Sequence, residues 1–340
     1  MSTRIIKFKK LSLVTLWMVY ALIAVGATVR ATGAGMGCPD WPACFGSVVP
    51  PTSAAELPPD YQQQFSNYRK AKNEKFAKYL SYFGMEETAK KIATDESINQ
   101  EALFNPAKTW TEYFNRLAGA AVGAMMILLL ARGFQVRLHN PLFFWLPLAL
   151  LLITIFQGWF GSIVVSTNLT SWTVSVHLIF ALLIVTLLVY LITHINKTEN
   201  LPLKLRLSIL ATWLIAAVQL MLGVRVREAV EGISNLPRNE WIDGAGNSFL
   251  IHRSFAWVTS AAVVFLLVIL RKNGIFNSLS KGLLICLGIS LLSGIVLGYF
   301  SMPWMMQPLH LVVGSVLFGI LLTLFWSNHK TTNPNADLCV

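Results

Sequence analysis

The chain has 340 residues, of which 55% are hydrophobic and only 13% are charged, a composition that excludes an ordinary soluble domain. Its net charge of +11 could suit nucleic-acid binding, but the basic residues collect in short segments beside alternate apolar runs. That distribution is typical of membrane topology. We therefore expect an all-α integral membrane protein.

Eight apolar runs are long enough to cross a bilayer, which takes about 20 residues of helix. The first run follows a basic start but lacks a clear small-x-small cleavage site, so we interpret it as a retained helix rather than a signal peptide. The predicted spans are Leu11–Val29, Tyr113–Leu130, Leu142–Val165, Trp172–Thr193, Leu207–Val224, Phe249–Leu270, Gly282–Phe300 and Pro308–Trp326.

Basic segments indicate which side of the membrane each connection faces. They lie at the N-terminus and in connections 132–139, 197–206 and 271–281, and we expect all of them to be cytoplasmic. The C-terminal segment with His329 and Lys330 is expected on the same side. The prediction is a multi-pass protein of the cell inner membrane with both termini in the cytoplasm.

The first outer connection is long and contains two cysteines. Cys38 and Cys44 are close in sequence on the oxidising side, which most simply indicates a disulfide. A metal site or a redox-active dithiol is the alternative, although no CxxC pattern supports it. Residues 47–110 form an insert in which Tyr61–Lys91 predicts one or two amphipathic helices, packed over the bundle or lying along the interface.

An internal repeat relates the two halves of the chain. The segments match in the same order, and 62 residues separate Asn115 from His177 where 58 separate His252 from His310. This predicts two pseudo-symmetric four-helix bundles, residues 1–195 and 196–340. The matching segments are Gly26–Arg30 with Gly223–Arg227, Asn115-Arg116 with His252-Arg253, and His177-Leu178 with His310-Leu311.

The repeat places His177, His252 and His310 at one depth in the outer half of the membrane. A single transmembrane histidine is more often a hydrogen-bonded packing residue. Three at repeat-equivalent positions favour ligands of haem iron, since neutral imidazoles on facing helices can bind the iron from both sides.

Four arginines lie at the outer helix ends: Arg30, Arg116, Arg227 and Arg253. They can pair with haem propionates through bidentate contacts, or extend to the interface as membrane arginines commonly do. The repeat favours propionate binding for Arg116 and Arg253, each next to a proposed ligand position.

The segments Val25–Gly46 and Glu112–Leu117 resemble the haem A synthase family, most specifically in the block Gly37-Cys-Pro-Asp-Trp-Pro42. The resemblance extends over all eight spans. It implies an oxidoreductase that converts the C8 methyl group of haem O to a formyl group through hydroxylated intermediates, giving haem A for cytochrome oxidase. It also implies a substrate haem in the first half and a haem b cofactor in the second.

Carried over by position, the resemblance makes His252 and His310 the haem b ligands and His177 a ligand of the substrate haem. It implies that Glu112 belongs to the active site and that Cys38 and Cys44 form a disulfide. The alternative for Glu112 is a non-catalytic surface carboxylate, stabilised by the dipole at a helix N-terminus.

This chain departs from the family pattern at Asn115, where the family has histidine. An amide is a poor iron ligand, so a damaged site is one interpretation. We favour another, in which iron held by His177 alone keeps its opposite face open. Asn115 then hydrogen-bonds a small ligand there, and Glu112, one helical turn earlier, manages protons.

A two-haem electron-transfer cytochrome and a transporter are the alternatives to haem A synthesis. A two-haem electron-transfer cytochrome predicts two histidines in both halves, which Asn115 opposes, and a transporter would show more Gly/Pro interruptions at mid-membrane. The expected partners are haem O synthase, oxidase assembly factors and an unidentified electron acceptor, with a homo-oligomer left open.

Overall fold

The computed structural model describes residues 2–195, 201–233 and 235–326, so the predicted location of His329 and Lys330 lies outside the described residues. Within these ranges the chain is helical, with short 3₁₀ turns and one isolated bridge between Cys44 and Ser47. The helices in chain order are α1 Thr3–Ala31, α2 Tyr61–Tyr82, α3 Glu86–Thr94, α4 Glu96–Asn99, α5 Pro106–Val136, α6 Leu142–Ser166, α7 Ser171–His194, α8 Leu203–Gly232, α9 Trp241–Lys272, α10 Ser278–Tyr299 and α11 Met306–Trp326.

Eight of the described helices, α1 and α5 to α11, are long and apolar enough to cross a membrane. They coincide with the eight predicted spans, and the prediction of an all-α integral membrane protein is confirmed. Helices are required because lipid offers no partners for backbone polar groups. Local sequence determines where α5 begins. The Asn105 side chain caps the helix by accepting a hydrogen bond from the Lys108 amide, and Pro106 occupies the first turn.

The spanning helices pack as two rings of four. In the first ring α1, α5, α6 and α7 each contact their two neighbours, and in the second α8, α9, α10 and α11 do the same. Helix α1 contacts α11, and α7 contacts both α11 and α8, which joins the rings. The approach of α1 to α11 is close, because a Cβ at Gly319 would lie 2.0 Å from the Tyr20 hydroxyl.

The insert docks where α6 ends and α7 begins. The Asn73 amide donates to the Ser166 carbonyl at 2.8 Å, and the Phe76 and Trp172 rings stack with centroids 6.3 Å apart. The prediction of amphipathic helices over the bundle is confirmed by α2 and α3. Phe83, which shares their helical spacing, is 76% exposed and lies outside this buried face.

A buried ion pair holds the end of the insert to α2. The Arg69 guanidinium contacts the Glu101 carboxylate at 2.5 Å and donates to the Gln100 carbonyl at 2.6 Å. Burial raises the pKa of Glu101 to about 7, although the charge of Arg69 opposes this.

Candidate functional site

Two histidines meet inside the second ring. His252 on α9 and His310 on α11 lie on opposite corners of the ring, and their imidazole centroids are 6.1 Å apart with the planes nearly perpendicular. The Ser293 hydroxyl lies 2.9 Å from Nδ1 of His310. This contact orients the His310 ring and leaves Nε2 as the nitrogen available to a metal.

A glycine faces each of these rings from a neighbouring helix. A Cβ at Gly223 of α8 would lie 3.2 Å from Cε1 of His252, and one at Gly294 of α10 would lie 3.3 Å from Cε1 of His310. Both separations are shorter than the usual 3.5–4.0 Å between carbon atoms. The two glycines therefore create the space in which the rings sit.

The first ring repeats this arrangement. A Cβ at Gly161 of α6 would lie 3.5 Å from Cε1 of His177 on α7, and one at Gly26 of α1 would lie 3.7 Å from Oδ1 of Asn115 on α5. Gly161 precedes His177 by 16 residues, as Gly294 precedes His310. The contacts thus assign Asn115 to the position that His252 occupies in the second ring.

Two glutamines anchor the histidine backbones. The Gln157 side chain donates to the His177 carbonyl at 2.9 Å, and the Gln219 side chain donates to the His252 carbonyl at 3.1 Å. Sequence reasoning missed both residues. Each glutamine stands four residues before a site glycine, Gly161 or Gly223, and this shared spacing is the signal that could have found them.

Several buried polar atoms at these positions have no hydrogen-bond partner among the described residues. They include Nδ1 of His177, Nδ1 of His252 and Oδ1 of Asn115. Buried polar atoms are normally satisfied, so these atoms are free to contact a bound group or water. Two imidazoles on opposite helices, each backed by glycine, are chemically suited to a haem in the second ring. The first ring offers one imidazole and one amide.

Glu112 is buried, with 2% of its surface exposed, so its interpretation as a surface carboxylate was wrong. Its Oε2 accepts a hydrogen bond from the Cys38 amide at 2.8 Å, and its Oε1 accepts one from Arg116 at 2.6 Å. The predicted disulfide between Cys38 and Cys44 is present. Glu112 therefore fastens the disulfide loop to α5, one turn before Asn115.

Arg116 is enclosed by the same loop. Its guanidinium donates to the carbonyls of Cys38 at 2.8 Å, Asp40 at 2.6 Å and Ala43 at 2.8 Å, besides the carboxylate of Glu112. These bonds use both terminal nitrogens. Arg116 thus organises the loop over the end of the first ring from which α5 starts.

Arg30 and Arg227 share a carboxylate that sequence reasoning missed. Arg30 forms a bidentate contact with Glu231 at 2.6 and 2.7 Å, and Arg227 contacts the same side chain at 3.2 Å. Ser171 also donates to Glu231 at 3.0 Å. Because these residues lie on α1, α7 and α8, the cluster ties the two rings together at the end where α1 and α8 finish.

Arg253 differs from the other three arginines. It is exposed, and its guanidinium lies 5.7 Å from the centre of the Phe249 ring. Its guanidinium has no hydrogen-bond acceptor among the described residues. Arg253 is therefore the one of the four whose geometry is most open to an anionic ligand.

Comparison with known proteins gives a family match. A family model described as "Cytochrome oxidase assembly protein" matches residues 9–322, which include nearly all of the eight spanning helices. The match also covers both rings and the insert.

Curated relatives named "Heme A synthase" are similar in sequence. The protein from Rhizorhabdus wittichii is 23% identical, with 94% of this chain and 92% of the relative aligned. That from Rickettsia bellii RML369-C is 25% identical, with 90% and 93% aligned. The Shewanella oneidensis protein is 28% identical, but the match spans 44% of its length. Another from Bartonella quintana is matched over 51% of its length.

Proposed function

Because the chain belongs to the cytochrome oxidase assembly protein family, we propose that it is a haem A synthase. In this proposal it oxidises the C8 methyl group of haem O to a formyl group through hydroxylated intermediates. The observation that supports it best is the repeated pair of facing polar side chains, one pair inside each ring and each backed by glycines. Relatives named "Heme A synthase" support the same activity.

The second ring is proposed to hold haem b. His252 and His310 would hold its iron, and haem b held there would supply one-electron transfer. Ser293 orients the His310 ring through Nδ1, and Gln219 holds the backbone of His252. These contacts set the ring positions in advance, which lowers the cost of ligand ordering.

The first ring is proposed to hold the substrate haem O, with His177 as its ligand. Asn115 faces the same interior from the helix opposite α7, and Glu112 lies one turn outward. Its carboxylate connects the site to the disulfide loop through Cys38 and Arg116. A carboxyl group in this location is suited to hold and release protons at the outer rim of the site.

The four arginines proposed to bind propionates differ in how free their guanidinium groups are. Arg253 is open to a propionate, whereas Arg30 and Arg227 would exchange their bonds to Glu231 for it. Arg116 would keep its loop carbonyls and act on the carboxylate of Glu112 instead.

The distribution of basic residues supports an inner-membrane protein with a cytoplasmic N-terminus and the disulfide loop outside. Haem O synthase and oxidase assembly factors are proposed as partners, together with an electron acceptor.

The test compares haem content in cells with and without a haem O synthase. The purified protein should contain haem b, and with the synthase also haem O, hydroxylated haem O or haem A, identified by chromatography and mass spectrometry. Glu112→Gln should reduce the oxidised species, while Glu240→Gln, at an exposed position, should not. Haem b alone under both conditions would contradict the proposal and favour an electron-transfer cytochrome.

A further inference from the structure

The two rings differ at one pair of equivalent positions. Gly26 faces Asn115 as Gly223 faces His252, so the amide occupies the place of an imidazole. Gly161 and Gly294 face histidines in both rings. The opposite helix therefore presents imidazole in one ring and amide in the other.

An asparagine at this position cannot replace the imidazole as a ligand. Its amide nitrogen has no free electron pair to donate, its oxygen is a weak donor to iron, and its side chain is shorter than that of histidine. Oδ1 of Asn115 is buried and unpaired among the described residues. The amide is thus a hydrogen-bonding group aimed at space that an imidazole would fill.

A second difference accompanies the first. One turn before Asn115 stands Glu112, whereas Phe249 stands one turn before His252. At this position the first ring therefore carries a carboxylate where the second carries a phenyl ring. A site that binds a small polar ligand needs such groups, and a site closed by two imidazoles does not.

We propose that the first ring holds its haem by His177 alone and binds an exogenous diatomic ligand on the side of Asn115. The second ring, with His252 and His310, is closed to such ligands. This inference rests on the proposed function, because it requires a haem in each ring. The lack of an imidazole at Asn115 leaves this side of the first ring open, and the Asn115 amide N–H donates a hydrogen bond to the bound molecule.

Carbon monoxide is the probe, since it binds ferrous haem only where a coordination position is open. The full-length protein, purified from cells that make haem O, is assayed for haem by pyridine haemochrome and titrated with carbon monoxide after reduction. Two haems and one carbon monoxide per chain are expected.

Two substitutions should reverse the carbon monoxide binding of each ring, and a third tests the hydrogen bond from Asn115. Asn115→His should abolish carbon monoxide binding and convert the first-ring haem from a high-spin to a low-spin spectrum. His252→Asn should raise the stoichiometry from one to two while both haems remain. Asn115→Leu should keep one binding site, with dissociation faster by about two- to tenfold through loss of one hydrogen bond.

The outcomes separate the two proposals. Two haems with no carbon monoxide bound would overturn this inference and leave haem binding intact. Two carbon monoxide molecules bound to the unmodified protein would also overturn it, because the second ring would then be open. Absence of bound haem would overturn the proposed function and this inference together.

Discussion

Substitution of Gly294 by alanine tests whether the glycines set the position of the haem ligands. The new Cβ would lie 3.3 Å from Cε1 of His310. Relaxed carbon contacts lie at about 3.5–4.0 Å, so the ring would have to move by roughly 0.2–0.7 Å. Metal–ligand distances tolerate about 0.2 Å, so we expect haem b affinity about 10- to 100-fold weaker.

The control lies on the same helix. A Cβ at Gly288 would meet no atom within 4 Å among the described residues. Both substitutions add the same intrinsic helix propensity, about 1 kcal/mol, so a difference between them reports the contact with His310. Gly161→Ala extends the series, since 3.5 Å from His177 Cε1 is an ordinary contact and the first-ring haem should be retained.

The assay measures haem b per chain by pyridine haemochrome, with retention followed during gel filtration. Gly288→Ala should match the unmodified protein, and Gly294→Ala should lose most of its low-spin haem. Equal haem content in the two variants would refute the argument that glycine is needed beside His310.

Three further predictions concern the ion pairs of Glu231 and Glu101. Glu231→Gln should lower the free energy of unfolding by about 2 kcal/mol, because Arg30 and Arg227 lose a shared charged acceptor; an unchanged melting temperature would contradict this. Arg69→Met should weaken docking of the insert by about 3 kcal/mol. This value is at the lower end of the cost of breaking a buried ion pair, because Glu101 can take up a proton. Limited proteolysis of the insert should then be faster. The raised pKa of Glu101, about 7, favours its protonated form in the fold, so insert stability should be greatest below the ordinary glutamate pKa and fall as pH rises through 7. Proteolysis rates that are equal at pH 6 and 8, or a pH effect that persists in Glu101→Gln, would argue against this.

Hydropathy alone was enough to predict the spanning helices. In lipid a spanning segment must satisfy its own backbone hydrogen bonds, so an apolar run of sufficient length has helix as its only single-segment solution. The start of α5 also follows from local chemistry, since Asn105 and Pro106 form a helix-capping pair. The histidine positions could be paired because the repeat preserves their order and spacing.

The partners of the charged residues could not be predicted in this way. Arg30 and Glu231 are 201 residues apart in sequence, and Glu112 meets Cys38 across 74 residues. No periodicity within a helix connects such positions. The arginines were therefore assigned to an anionic ligand or to the interface, whereas three of the four lie against protein acceptors.

The roles of the site glycines also depend on the tertiary structure rather than on the sequence alone. The repeat identifies Gly26 and Gly223 as equivalent, but it was not used to find Gly161 or Gly294, because a glycine in an apolar helix has no chemical signature that marks its function. Only the packing of neighbouring helices gives Gly294 a ring at 3.3 Å and leaves Gly288 with open space among the described residues. Hydrophobic spacing determines which segments become helices because that depends on the chain's own composition. Which faces meet depends on close packing between distant segments, and this was decided only in the tertiary structure.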